Sequence, residues 1–196
     1  MKVLGLDVST SNVGVCVIDT EEPQSSRVVL AYGIPMSKIK GLWTKSCELR
    51  DHLRRVEQDH IVDLVVVEES LQSFRSRMSS AGTIAKLNRF NGIASFIAKS
   101  QFDCPLYLAN VISTRKSVGC SIDRKSVLGT KEQVLRWVMA RPEMKTFEWP
   151  TKILKGGPNK GTARRKEICY DIADAFVVAV FGADILKNDA IDATVV

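Results

Sequence analysis

Four carboxylates in this 196-residue chain stand where surface acids are not expected. Asp7 closes the apolar run "VLGL" and Glu68 closes "LVVV". Asp171 and Asp174 interrupt "CYDIADAFVVAVFG", in which Ile172, Ala175, Phe176, Ala179 and Val180 have the spacing of a buried helix. Three residues apart on a helix, the two aspartates lie about 60° apart on one face. Like charges so placed repel, and burial makes them costlier. No Lys or Arg follows in this helix until Lys187, so the reading assigns the neutralising charge to a divalent cation. It also expects Asp174→Asn to relieve repulsion and stabilise the metal-free protein slightly. Only two histidines exist, His52 and His60, both in a charged stretch. Four carboxylates without histidine are hard oxygen donors of the kind that suits Mg²⁺ or Mn²⁺. Such a cluster can hold two ions and stabilise both the attacking and the leaving oxygen in phosphodiester cleavage. Either Asp7 or Glu68 alone could instead cap a helix or pair with a lysine. The D-x-x-D spacing adds weight to the metal reading.

The elements that must position these acids follow from hydrophobic patterning. "KVLGLDV" and "VGVCVID" read as strands joined by the turn "STSN", and "RVVLAYGIP" as a third strand. "VDLVVVEES" and "PLYLAN" are two more strands. Helices are expected over 43–59, 82–99 and "TKEQVLRWVMA", the last with Thr130 as cap and Gln133 three residues on. A Pro-, Gly- and Lys-rich loop covers 141–161, and the final helix runs over about 163–186. The order predicts an α/β domain with a mixed five-stranded sheet flanked by helices. The expected organisation is one domain over 1–186 and a tail over 187–196.

Composition bounds the function. The hydrophobic fraction is 45% and the net charge is +6, as for a globular protein with a polyanionic partner. No apolar run approaches a membrane span, and "MKVLGLDVS" meets an aspartate too early for a signal peptide. Five widely spaced cysteines with no C-x-x-C suggest a reducing compartment, the cytoplasm. Residues 70–100 carry five basic side chains and no acidic one; residues 141–166 carry eight basic and two acidic. Within these segments Arg75, Arg77, Lys152 and Lys155 are candidate phosphate contacts, as are Lys116 and Lys131 elsewhere. Phe74, next to Arg75 in "LQSFRSR", could stack on an unpaired base or fill the core. Trp43, Trp137 and Trp149 are assigned to core or loop packing.

"GLDVSTSNVGVCVID", "LVVVEES" and "DIADAFVVAV", taken in that order, resemble the RuvC-type Holliday junction resolvases of the RNase H-like superfamily. The resemblance covers roughly residues 1–183. It implies that Asp7, Glu68, Asp171 and Asp174 are catalytic metal ligands for Mg²⁺, with Mn²⁺ able to substitute and two ions per site. "FNGIASFIA" is similar to the family's dimer-forming helix, and "RKSVG…TKEQV", with Arg115, Lys116 and Lys131, to its basic junction-facing segment. The implied activity is paired cleavage of four-way DNA junctions by a homodimer, in a bacterial or phage-infected cytoplasm. Related nucleases that cut other branched DNA or RNA–DNA hybrids would use the same acids. A non-catalytic junction-binding protein would be marked by loss of an acid, and none is lost. Residues 20–40 and 141–161 depart from the family pattern, and the compact size is similar to phage and viral members.

Overall fold

The computed structural model describes residues 1–70 and 81–188. Its frame is a five-stranded sheet of β1 (Lys2–Val8), β2 (Asn12–Asp19), β3 (Val28–Pro35), β4 (Leu64–Glu68) and β5 (Leu106–Ala109), in the order β3-β2-β1-β4-β5. The first three strands form an antiparallel meander, while β4 and β5 join β1 in parallel. Helices α1 (Leu42–Asp59) and α2 (Ala81–Gln101) supply the parallel crossovers and cover one face of the sheet. The short α3 (Val111–Ser117), α4 (Thr130–Met139) and α5 (Ile168–Lys187) gather on the other.

The alternation of a strand sorts the side chains between these layers. Leu4, Leu6, Val65 and Val67 pack toward α1 and α2. Val3, Leu64 and Val66 pack toward α5. By the same alternation Asp7 and Glu68, two residues beyond Gly5 and Val66, belong to the α5 face. Helix α5 is buried almost throughout, so its apolar side chains fill the core on every side. It lies on the sheet more closely than side chains would allow. A Cβ built on Gly5 would sit 2.4 Å from the Ala175 carbonyl oxygen, and one on Gly14 would sit 1.9 Å from that of Asp171. Gly14 is the strand partner of Asp7. The glycine that admits the helix backbone is therefore the one that brings Asp171 to the level of Asp7.

Several boundaries differ from the sequence reading. The 141–161 segment is not a bare loop. Its second half opens a two-stranded hairpin of β6 (Thr151–Ile153) and β7 (Ala163–Arg165), so α5 starts at Ile168 rather than near 163. Helix α3 was not anticipated, because its seven residues, with only Val111 and Ile112 apolar, carry no hydrophobic period. It is held by Asn110, whose side chain accepts hydrogen bonds from the Ile112 and Ser113 amides. Thr130 does not cap α4, whose N-cap is Gly129. Gln133 instead bonds back to Asp123 and Leu128, pinning the preceding loop. Trp137 and Trp149 pack against the core as expected, but Trp43 is 82% exposed. Helix α5 ends one residue past 186, and residues 189–196 of the tail lie outside the described residues.

Candidate active site

The parallel pairing of β1 with β4 sets Leu6 beside Val67, which places Asp7 and Glu68 together at the ends of adjacent strands. Asp171 and Asp174 approach from the first turns of α5, each with 5% of its surface exposed. Asp7 and Glu68 keep some contact with solvent. Two asparagines, neither singled out in the sequence, fix the frame. Asn12 Nδ2 donates to Asp171 Oδ2 at 3.0 Å, tying the β1–β2 turn to α5. Asn91, buried on α2, donates to the Glu68 carbonyl oxygen at 2.8 Å and holds the end of β4. On the far side of the turn, the Lys45 ammonium bonds the Thr10 carbonyl.

The acids sense one another. Burial pushes the Asp7 carboxyl well above the ordinary carboxylate range, and Glu68, Asp174 and Asp171 push it further. Glu68 is pushed up to about 8, first by burial and then by Asp174, against the opposing charges of Arg115 and Lys131. Asp171 is raised mainly by burial, while Lys131 and the Asn12 hydrogen bond resist.

The assignment of the neutralising charge to a divalent cation is incomplete, because part of it comes from a side chain. Arg115 Nη2 reaches Asp174 Oδ1 at 2.8 Å, with both side chains largely buried. The partner missing from α5 arrives from α3. Asp174→Asn therefore strands a half-buried guanidinium, and the expected stabilisation does not follow. Lys131 is exposed at the start of α4, within electrostatic reach of Asp7, Glu68 and Asp171. Lys116 is exposed and, with Arg115, Cys120, Arg124 and Thr130, lines a cleft of about 770 Å³. Lys152 lies in β6 and Lys155 in the loop that follows it, both on the β6–β7 hairpin. Phe74, Arg75 and Arg77 fall outside the described residues.

The carboxylates are close enough to raise one another's proton affinity but are not gathered about one point. Among the described residues, no three acidic, histidine or cysteine side chains form a ready coordination sphere. The donor chemistry nonetheless fits a hard divalent cation. All four groups offer oxygen, and their negative charge exceeds what Arg115 and Lys131 supply.

An α/β sheet of this order, with acids at the ends of β1 and β4 and on the closing helix, defines an RNase H-like fold. Solved structures of RuvC-type resolvases share this fold. RuvC of Thermus thermophilus superposes over 100% of both chains with a TM-score of 0.60 at 17% identity. The same protein solved in complex with Holliday junction substrate matches at 0.59 and 16%, over 100% of this chain and 99% of that one. The yeast mitochondrial Holliday junction resolvase Ydc2 matches at 0.56 and 16%, over 95% of this chain and 80% of its own. No protein-family model and no curated protein matches the sequence. The likeness therefore lies in the fold.

Proposed function

We propose that this protein is a divalent-metal-dependent, structure-selective DNA endonuclease that resolves four-way junctions by paired phosphodiester cleavage. What supports the reading is that Asp7 and Glu68 end adjacent strands, with Asp171 and Asp174 on the first turns of the helix packed over them, in a fold similar to that of RuvC. These four residues would hold Mg²⁺, or Mn²⁺ in its place, and two ions would serve each site. The ions would neutralise charge on the scissile phosphate and acidify the attacking water. The chain's own groups do the rest. Asn12 orients Asp171, and Asn91 fixes the strand end that carries Glu68. Lys131 adds positive charge beside the acids, and Arg115 and Lys116 line the adjoining cleft, where they would receive backbone phosphates.

A two-fold junction calls for two sites, and we propose a homodimer that forms through α2. Phe96 is 73% exposed on that helix, and its first turns, with Ile84 and Leu87, reach beyond the core. Phe90, on the same helix, is buried within the monomer and is no part of that face. All five cysteines are free thiols, in keeping with action in a reducing cytoplasm. None of the described helices is long and apolar enough to cross a membrane.

The test is a cleavage panel of four-way, three-way, flap and RNA–DNA hybrid substrates in Mg²⁺, Mn²⁺ and EDTA. Metal-dependent paired incisions in the four-way junction, lost in Asp7→Asn, are expected. Preference for the hybrid would assign the chain to a different nuclease activity. Junction binding without cleavage under every metal would leave only a binding protein.

A further inference from the structure

The β6–β7 hairpin is built for a purpose that packing does not explain. Residues 150–166 carry six basic side chains and no acidic one. All six residues of its two strands are exposed. A ribbon this short has almost no core of its own and is marginal in isolation. It is nevertheless tightly tied. The Leu154 amide bonds the Thr162 carbonyl at 3.0 Å, the Gly161 amide bonds the Leu154 carbonyl at 2.8 Å, and the Lys166 amide bonds the Pro150 carbonyl at 2.9 Å. Gly157 and Gly161, at φ +76° and +88°, make the turn that the other residues would resist.

The register sorts its charges. Arg165 pairs with Thr151, and its guanidinium points to the body of the protein, 3.4 Å from Met139 Sδ and 3.9 Å from Glu132 on α4. Lys152 pairs with Arg164, and both line a polar cleft against the body of the protein together with Arg165 and Lys166. Like charges directly opposite one another in an antiparallel pair are destabilising. No acidic residue in the hairpin is available to offset them. In this cleft of about 610 Å³ the two acids, Glu132 and Glu167, face four cations, Lys152, Arg164, Arg165 and Lys166, so positive charge is in surplus. The face that keeps this surplus lies beside Glu167 and Tyr170 at the start of α5, the helix that carries Asp171 and Asp174.

We propose that this face, with Lys152 and Arg164 at its centre, grips the phosphodiester backbone of a duplex arm beside the cleavage centre, without regard to sequence. The inference rests on the nuclease reading for its partner. Its own content is that the hairpin supplies affinity and takes no part in the reaction.

The experiment uses the full chain with Lys152→Gln and Arg164→Gln combined. Arg50→Gln with Arg54→Gln serves as control, removing the same charge from the exposed side of α1, on the opposite layer. Affinity for a four-way junction and for a linear duplex is measured in EDTA across salt, and cleavage under single-turnover conditions at saturating DNA. Two lost phosphate contacts should flatten the logarithmic salt slope by about 1.8 and weaken binding by up to about 60-fold at 0.1 M salt, for both DNAs. The saturated cleavage rate should stay within about twofold of wild type. In the absence of DNA the melting temperature should hold or rise, because a repulsive pair has been removed. A structural role for these side chains would lower it.

Unchanged affinity and slope in a variant that still cleaves would overturn the hairpin proposal alone. Equal losses in the α1 control would overturn it too, by showing that net charge suffices. A wild-type protein that binds neither DNA at low salt would overturn the nuclease reading, and this proposal with it.

Discussion

The metal-free protein should carry a measurable penalty for its carboxylates, and Glu68→Gln isolates it. Glu68 has an ordinary value of 4.5 and is pushed up to about 8 in the folded chain, by burial first and by Asp174 next. Between those two values the folded state holds a proton that the unfolded state has released. Stability must then fall as pH rises through the window and level off above about 8. The ceiling is about 5 kcal/mol, from about 1.4 kcal/mol for each of the roughly 3.5 pH units spanned. Water entry and reorientation of Arg115 and Lys131 should reduce this to about 2 kcal/mol. For a chain of this size that corresponds to roughly 4–8 °C in melting temperature. The assay is thermal unfolding of wild type and Glu68→Gln in EDTA from pH 5.5 to 8.5. Burial lowers the proton affinity of His52 and His60, so they titrate in the opposite sense. They are common to both proteins and cancel in the difference. Glu68→Gln should match wild type near pH 5.5 and exceed it increasingly toward pH 8.5. Millimolar Mn²⁺ should restore wild type at high pH and do less for the variant, following RT ln(1 + [L]/Kd). Parallel pH profiles for the two proteins would refute the claim that Glu68 is forced into a crowded, poorly solvated site.

Asp7→Asn should reduce cleavage to below about a tenth of wild type at saturating Mg²⁺ while leaving junction affinity intact or tighter, as gel shift and cleavage on one preparation would show. Gly14→Ala must displace α5 at Asp171, because the new methyl would meet its carbonyl oxygen at 1.9 Å; a cost of about 1–3 kcal/mol or more is expected by denaturant unfolding, with cleavage lost disproportionately. Glu143 is buried, with Arg27 at 2.5 Å and Arg141 at 2.9 Å. Burial works to raise its proton affinity, but bonds from its own backbone amide and Arg141, the charge of Arg27 and the Gln24 bond leave it below the ordinary value. Its stabilisation is therefore full above about pH 4.5 and lost as pH falls through the lower folded value. Glu143→Gln should cost about 3–5 kcal/mol at pH 7 and less in acid. Sedimentation should show a dimer at micromolar concentration, and Phe96→Glu should convert it to the 21.7 kDa monomer.

What was legible in the sequence was whatever depends on a local period. Runs such as "VLGL" and "LVVV" can only be buried strands, and an acid closing each is visible without a structure. The D-x-x-D is likewise visible, because its spacing and the apolar residues around it lie within one helix. What could not be read depends on elements distant in the chain. Repulsion between Asp171 and Asp174 calls for a positive partner, and α5 itself offers none before Lys187. The partner, Arg115, is 59 residues away. It sits on a helix of seven residues that propensity does not reveal and that Asn110 has to cap. Asn12 and Asn91 were equally silent, since an asparagine gives no sign of whether its amide will orient a carboxylate or a solvent molecule. The hairpin was hidden for a related reason. Its strands are three residues long and wholly exposed, so there is no hydrophobic alternation to detect. The charge composition marked the segment, but only the register placed Lys152 opposite Arg164. Like-charge repulsion acts at both sites with opposite sign. At the sheet end, crowded negative charge calls for cations, and Arg115 meets part of that demand. On the hairpin, paired positive charge calls for an anion, and Glu132 and Glu167 meet only part of that demand. A phosphodiester substrate satisfies the second demand directly and, with its divalent cations, the first. One ligand class thus relieves two separate electrostatic costs in the free protein.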